Sequence, residues 1–168
     1  MRKTIVLVGF MGCGKTHLGQ YAAKALGMEF ADTDSLIERE AGMSISQIFA
    51  EQGEETFRKW ETEVLRRSCQ ESGTILATGG GVIKNPYNVK MLHDMDVSVV
   101  WLVADAGRIY CRLKQDTTRP LLAGTNGEAK RRRIETLLAE REELYKRAAQ
   151  YAFIEDGFSE EQMGEAFV

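Results

Sequence analysis

Residues 9–16, GFMGCGKT, set Gly9, Gly14, Lys15 and Thr16 at the spacing G-x-x-x-x-G-K-[ST], a pattern whose chemistry is the holding of phosphate. Its glycines let backbone N–H groups curl around anionic oxygens where a side chain would collide or forbid the dihedrals. A lysine in this place reaches the β- and γ-phosphates of a nucleoside triphosphate, and the Thr16 hydroxyl would complete a Mg²⁺ shell. Gly12 and Cys13 fill the middle of the loop. Cys13 lies beside a lysine and a helix start, where thiol pKa values tend to fall; the plainer reading is a tolerated small residue. His17 stands where many such loops carry a second hydroxyl for the α-phosphate, so that contact is lost or taken by an imidazole, or the ring simply faces solvent.

A phosphate loop does not name its acceptor. The tetrapeptide ADTD offers Asp32 and Asp34, two residues apart and therefore on one face if both belong to a strand. One could anchor the water shell of magnesium while the other takes a proton from an attacking hydroxyl. Asp34 could instead cap the helix that SLIERE begins, but capping accounts for one acid and not for two. Further along, GEETFRKWETEVL (53–65) has an apolar helical stripe through Phe57, Trp60 and Val64. Glu61 falls on that stripe and Arg58 lies one turn earlier, either as a structural ion pair or as a polar anchor in a small-molecule pocket. The stripe Ile134, Leu137, Leu138, Arg141, Leu144, Tyr145, Ala148 has an arginine in an apolar place. A guanidinium turned inward needs an anion, either an internal glutamate or a substrate carboxylate gripped bidentately.

These groups need a frame, and apolar runs alternating with amphipathic stretches supply one. Strands are expected over 4–10, 28–34, 74–80, 97–103 and 151–157. Helices are expected near 15–26, 34–41, 46–52, 54–71, 105–115, 128–149 and 159–167. The alternation predicts a three-layer α/β/α sandwich with a mostly five-stranded parallel sheet, as a single domain over 1–168. Ligands in such sheets lie beyond the carboxyl ends of the strands. Residues 116–127, DTTRPLLAGTNG, carry turn formers between two helices and read as a mobile lid or a plain connector.

The chain of 168 residues carries a net charge of −3, with 43% hydrophobic and 28% charged residues. That balance suits an ordinary globular domain and argues against a general nucleic-acid binder. The one basic cluster, KRRR over 130–133, sits among glutamates and reads as a solvated helix face. Three cysteines without metal-type spacing fit reduced thiols in the cytoplasm. The start MRKTIVLVGFMG is broken by Gly9, Gly12 and Gly14, which sets it apart from a leader peptide, and no apolar run is long enough to span a membrane. The guanine-reading Asn-Lys-x-Asp is absent, and the third strand leads into ATGGGV rather than Asp-x-x-Gly, so a GTP switch is not expected. No heptad seam is visible, which leaves a monomer as the default.

Taken together, GFMGCGKT, DTDSLIE, SISQIFAEQGEETFRKWE, ATGGGV, RPLL and REELYKRAA resemble shikimate kinases, a family of the nucleoside-monophosphate-kinase-like P-loop proteins, in order and spacing over essentially the whole chain. The resemblance implies transfer of the γ-phosphoryl group of ATP to the 3-hydroxyl of shikimate, with Mg²⁺, on the route to chorismate and the aromatic amino acids. It implies a substrate-binding segment over 33–61 and a lid over 112–127. Asp34 then resembles the group that takes the hydroxyl proton, and Asp32 supports Mg²⁺ with Thr16. Arg58 and Arg141 resemble the carboxylate clamps, Glu61 orients Arg58, and Gly79, Gly80 and Gly81 meet the substrate hydroxyls. Arg119 resembles the lid arginine that swings onto the phosphoryl group, and Arg112 the residue packed on adenine. His17 and the segment YAFIEDGFSEEQ depart from the family pattern. Rival readings are another small-metabolite kinase, such as a gluconate kinase, and a non-catalytic nucleotide-binding regulator.

Overall fold

The computed structural model describes residues 3–154 and 160–167. The apolar runs form β1 (Thr4–Val8), β2 (Glu29–Asp32), β3 (Thr74–Ala77), β4 (Val97–Val103) and β5 (Tyr151–Ile154). All pair in parallel, in the order β2-β3-β1-β4-β5. β3 is buried at every position and β4 at all but two, as strands covered on both faces must be. β1 lies at the centre, with β2 and β3 to one side and β4 and β5 to the other. Its carboxyl end is therefore the point where the strand order reverses, the place such sheets reserve for ligands. The expected strand 97–103 coincides with β4, while the first three expected strands run two or three residues too long; 155–157 of the last one lie outside the described residues, as does 159 of the last helix.

The helices are α1 (Lys15–Leu26), α2 (Thr33–Ala41), α3 (Ile45–Ser68), α4 (Pro86–Asp94), α5 (Ala106–Leu113), α6 (Gly127–Ala148) and α7 (Glu160–Phe167), with short 3₁₀ turns at Val82–Lys84 and Pro120–Leu122. α1 packs on β2, β3 and α7, while α4 and α6 pack on β4. The two expected helices, 46–52 and 54–71, follow one another within α3, divided where expected: Gly53, at φ 84° and ψ 165°, is non-helical and kinks the chain between them. Ser44 starts α3 through a capping box with Gln47, the Ser44 hydroxyl accepting from Gln47 N and the Gln47 side chain accepting from Ser44 N, a motif worth about 1 kcal/mol. α4 was not expected from the sequence, although Asn85 caps it and Pro86 opens it in the usual arrangement.

Two clusters make up the interior. The main one gathers Val6, Leu7, Leu18, Ile75, Leu76, Val99, Leu102, Ile134 and Tyr145 around the sheet. A smaller one, Ile37, Ile48, Phe57 and Val64, joins α2 to α3. The segment 33–61 is thus held by apolar contacts of its own beside the sheet. Among the described residues no helix is long and apolar enough to cross a membrane.

Candidate active site

The loop after β1 wraps around its own lysine. Lys15 is buried, and its Nζ donates to Gly9 O at 2.7 Å and Phe10 O at 3.0 Å, with Cys13 Sγ at 3.6 Å. Gly12 takes φ +74°, and a Cβ there would meet Leu113 Cγ at 2.9 Å, so shape and backbone both demand glycine. Gly14, at φ 94°, caps α1 without a side chain, and a helix N-terminus of this kind receives anions. From α5, Arg112 Nη1 donates to Gly12 O at 3.1 Å, bracing the loop from outside. His17 is exposed on the first turn of α1. Cys13 is fully buried and Cys111 exposed, which favours the packing role for Cys13 over the reactive one.

Thr16 Oγ1 donates to Asp32 Oδ2 at 2.8 Å. The other oxygen of Asp32, Oδ1, accepts from the N–H groups of Asp34 (3.0 Å) and Ser35 (3.4 Å) and so caps α2. This corrects the expectation that both acids lie on one strand face: β2 stops at Asp32, and Asp34 belongs to the first turn of α2. The cap is Asp32, which frees Asp34. Among the described residues, Asp34 Oδ1 is the one buried side-chain polar atom without a hydrogen-bond partner, a situation that costs free energy until a donor arrives. Burial, and then the charge of Asp32, push the Asp34 carboxyl up to about 6, against the pull of Lys15 and Arg119. A carboxylate poised near neutrality and in want of a donor can accept a proton from a hydroxyl.

Gly79, Gly80 and Gly81 follow β3 and bring the remaining groups together. Gly79 N donates to Thr33 Oγ1 at 3.1 Å, fastening the strand tip to the start of α2. A Cβ on Gly79 would lie 2.8 Å from Asp34 Oδ1 and 3.0 Å from Glu61 Oε1; one on Gly81 would lie 2.7 Å from Arg58 Nη1. Glu61 is 1% exposed, and its Oε2 accepts from Arg58 Nη1 at 2.8 Å. Burial raises the Glu61 carboxyl and Arg58 opposes the rise. Glu54 grips the same guanidinium through Nε and Nη2. The Arg58–Glu61 pair, which sequence spacing left as either salt bridge or pocket anchor, is a salt bridge that borders the glycine turn.

Arg141 is 3% exposed. Its Nη1 donates to Gly80 O at 3.2 Å, and the guanidinium lies over the Phe10 ring at 5.5 Å. Among the described residues no carboxylate comes within 4.0 Å of it; Glu61 is near enough for Arg141 to pull its carboxyl down, but the two form no direct ion pair. A desolvated guanidinium of this kind calls for an external anion. Tyr145, one turn further along α6, donates its phenol to the same Gly80 carbonyl at 2.6 Å. Its hydroxyl was missed in the sequence because the residue reads simply as part of an apolar stripe. Thr62 and Asn88 were missed as well. Thr62 Oγ1 donates to Asn88 Oδ1 at 2.9 Å, and Asn88 Nδ2 to Val82 O at 3.0 Å, tying α3 beside Glu61 to the turn after Gly81.

Arg119, half-buried, donates from Nε to Asp116 Oδ2 at 3.2 Å and lies close enough to Asp34 to lower its pKa. Residues 117–119 and 123 face Ser46, Phe49 and Ala50 of α3 across a cleft of about 380 Å³, bridged where Ser46 Oγ donates to Thr118 O at 3.3 Å. The basic run 130–133 is not wholly a solvated face: Lys130 is buried, whereas Arg131 and Arg132 pair with Glu135 and Glu128 on the surface. The Gly-rich loop, the two acids, both inward arginines, Glu61, the glycine turn and Arg119 converge on one region at the carboxyl ends of β1, β2 and β3. Part of the segment YAFIEDGFSEEQ lies outside the described residues.

Comparison with known proteins gives the family. Residues 11–168 match the family described as Shikimate kinase. A shikimate kinase of Thermodesulfovibrio yellowstonii is 41% identical over 166 residues, 99% of this chain and 93% of the relative. The solved shikimate kinase of Acinetobacter baumannii in complex with shikimate superposes with TM-score 0.91 at 35% identity, covering 99% of this chain and 91% of that one. A gluconokinase of Sinorhizobium meliloti shares the fold alone, with TM-score 0.57 at 14% identity over 98% and 90% of the two chains. A match across nearly the full length, on a site whose acids and arginines meet at one glycine turn, places this chain in the shikimate kinase family.

Proposed function

We propose that this chain transfers the γ-phosphoryl group of ATP to the 3-hydroxyl of shikimate, giving shikimate 3-phosphate and ADP, with the residues above in the following roles. The observation that carries the reading is Asp34 Oδ1, a buried acceptor lacking a donor within electrostatic reach of Lys15 and Arg119, beside a glycine turn whose Gly80 carbonyl is held by Arg141, a buried guanidinium with no carboxylate in direct contact. A hydroxylated carboxylic acid supplies both the donor and the anion.

Gly9, Gly12, Cys13 and Gly14 contribute the backbone of the phosphate cradle, with Lys15 at its centre and Thr16 and His17 on the first turn of α1. A phosphate oxygen competes for the Lys15 N–H groups now given to Gly9 O and Phe10 O. Arg112, which stands beside the loop and donates to Gly12 O, covers the nucleotide base in this reading. Thr16 Oγ1 and Asp32 Oδ2, in contact at 2.8 Å, form an oxygen-only donor pair. They fit Mg²⁺, which takes one or two protein oxygens alongside water and phosphate. When bound, the ion supplies charge neutralisation across the β- and γ-phosphates.

Arg141 and Arg58 hold the substrate carboxylate, Glu61 keeps Arg58 in place, and the backbone of residues 79–81 lies against the ring hydroxyls. Asp34 then accepts a hydrogen bond from the reacting hydroxyl and takes its proton as the oxygen attacks in line. Lys15 and Arg119 stabilise the charge on the transferring group, and the segment 112–127 excludes water, the competing acceptor.

The three cysteines are free thiols, which supports a reducing compartment such as the cytoplasm. Among the described residues exposed large apolar side chains, Tyr87, Tyr151 and Ile154, are few, in keeping with a monomer. A coupled ADP-release assay offering shikimate, quinate and gluconate side by side tests the reading. Shikimate should be preferred by at least about a hundredfold in kcat/KM, as expected where a site is built to pair with a particular hydroxyl. Comparable turnover of gluconate would overturn the substrate assignment, and absence of ADP release with all three would favour the non-catalytic regulator.

A further inference from the structure

Lys130 opens the basic run on α6 yet is only 3% exposed. Its Nζ donates to Asp116 O at 2.8 Å, Leu113 O at 3.2 Å and Lys114 O at 3.4 Å. An ammonium has three donors, and three carbonyls meet them. Two belong to the last residue of α5 and the one after it, the negative end of that helix, where a cation is favoured. A buried ammonium is costly unless engaged in this way, so the contact fixes the chain strongly at 113–116. A second tie begins at the residue with the third carbonyl. Asp116 Oδ1 accepts from Thr118 N at 2.8 Å and Thr118 Oγ1 at 2.6 Å, and its Oδ2 accepts from Arg119 Nε at 3.2 Å. The Thr118 hydroxyl and N–H, together with Arg119, hold the Asp116 carboxyl below the usual carboxylate range.

Lys130 also shares a helix face with the carboxylate clamp. The buried stripe of α6 runs Lys130, Ile134, Leu137, Arg141, Tyr145, Ala148. Lys130 and Arg141 are thus eleven residues apart, about three turns. One rigid element carries both the grip on the acceptor and the anchor of the loop bearing Arg119.

We propose that Lys130 and Asp116 are positioning residues for the lid arginine: Lys130 clamps the root of the lid to α6, and Asp116 shapes the turn that aims the Arg119 guanidinium at the transferring phosphoryl group. Neither touches a substrate. Both act through Arg119, so the inference rests on the reading of Arg119 given above.

The test is a set of coupled-assay kinetics on Lys130→Met, Asp116→Asn and Arg119→Ala, and on each of the first two combined with Arg119→Ala, with thermal melts to certify folding. Misplacement of a catalytic group by about 1 Å costs on the order of a hundredfold. Lys130→Met and Asp116→Asn should therefore lower kcat by about 10–100-fold while the shikimate KM stays within about twofold. In the Arg119→Ala background each should add less than about twofold, since the group they position is gone. Folded single variants with undiminished kcat would overturn the proposal, and so would losses that multiply in full on Arg119→Ala. If Lys130→Met fails to fold, Asp116→Asn, on the loop itself, decides alone by the same criteria. Undiminished kcat in Arg119→Ala itself is a different failure, one that removes the underlying role of Arg119 and this inference with it.

Discussion

A side chain on Gly79 would begin 2.8 Å from Asp34 Oδ1. The strand tip and the first turn of α2 are thus fitted to each other with no room for a methyl group, and the buried, unpartnered oxygen of Asp34 faces the one residue type that leaves room beside it. In the proposed roles, proton transfer and substrate placement therefore depend on the same few ångströms.

If Asp34 takes the hydroxyl proton, its ionised form is the active one. With its carboxyl at about 6, kcat/KM for shikimate should be flat above pH 7 and fall about tenfold per pH unit well below 6, since this ratio reports groups on the free enzyme. Asp34→Asn should cost about 10²–10⁴ in kcat and leave ATP binding little changed. A steady-state pH series on both proteins checks this; an acid limb that persists unaltered in the residual activity of Asp34→Asn would assign it to another group.

The same residue should carry a stability penalty. Its folded pKa of about 6 exceeds the ordinary value of 3.8, so what it contributes to stability is whole below about pH 4 and is lost as pH rises through 6. The loss is on the order of 2–3 kcal/mol. Asp34→Asn, which cannot ionise, should melt higher than the parent at pH 8, and the gap should close by pH 4. Thermal melts at pH 4, 6 and 8 measure it, and a lower melting temperature for the variant at pH 8 contradicts it.

Neighbouring glycines should fail in different ways. An alanine at 81 places Cβ 2.7 Å from Arg58 Nη1, the far end of a side chain that can move, whereas one at 80 lies 3.0 Å from Met11 N and 3.3 Å from Gly9 O, both backbone. Gly81→Ala should fold normally and raise the shikimate KM by about tenfold or more, the usual effect of losing a hydrogen bond to a charged group, with the ATP KM unchanged. Gly80→Ala should disturb the phosphate loop and raise the ATP KM. Titrating each substrate against both variants separates the two effects.

Arg141 and Arg119 should likewise divide between binding and chemistry. Arg141→Ala removes the proposed partner of the carboxylate and should act chiefly on the shikimate KM. Arg119→Ala should lower kcat by about 10³ or more with little loss of shikimate affinity. Kinetics with the two profiles exchanged would exchange the two roles.

What could be read from the sequence was what is decided locally or by being out of place. The phosphate loop is a short contiguous pattern between a strand and a helix, so it carries its own context. Arg141 stood out because it interrupts an apolar stripe, and the structure leaves it buried without a direct carboxylate partner. Lys130 could not be found this way. It sits in a run of like charges that imitates a surface, and its three carbonyl partners lie 14, 16 and 17 residues away, brought within reach only by the packing of α5 on α6. The assignment of Asp34 to a strand failed because Asp32 ends β2 by capping α2, a choice made by its side chain and not by periodicity. α4 escaped because its signal, Asn85 followed by Pro86, is a boundary mark without a long amphipathic stretch behind it.

Asp32 divides its carboxylate, one oxygen for Thr16 and the other for the start of α2. Whatever draws on the first oxygen loads the second, and with it the turn that holds Asp34. In the roles proposed for Thr16 and Asp34, donor and acceptor compartments are joined by a strut a single side chain long, and cross-talk between the two substrates requires no travel through the body of the protein.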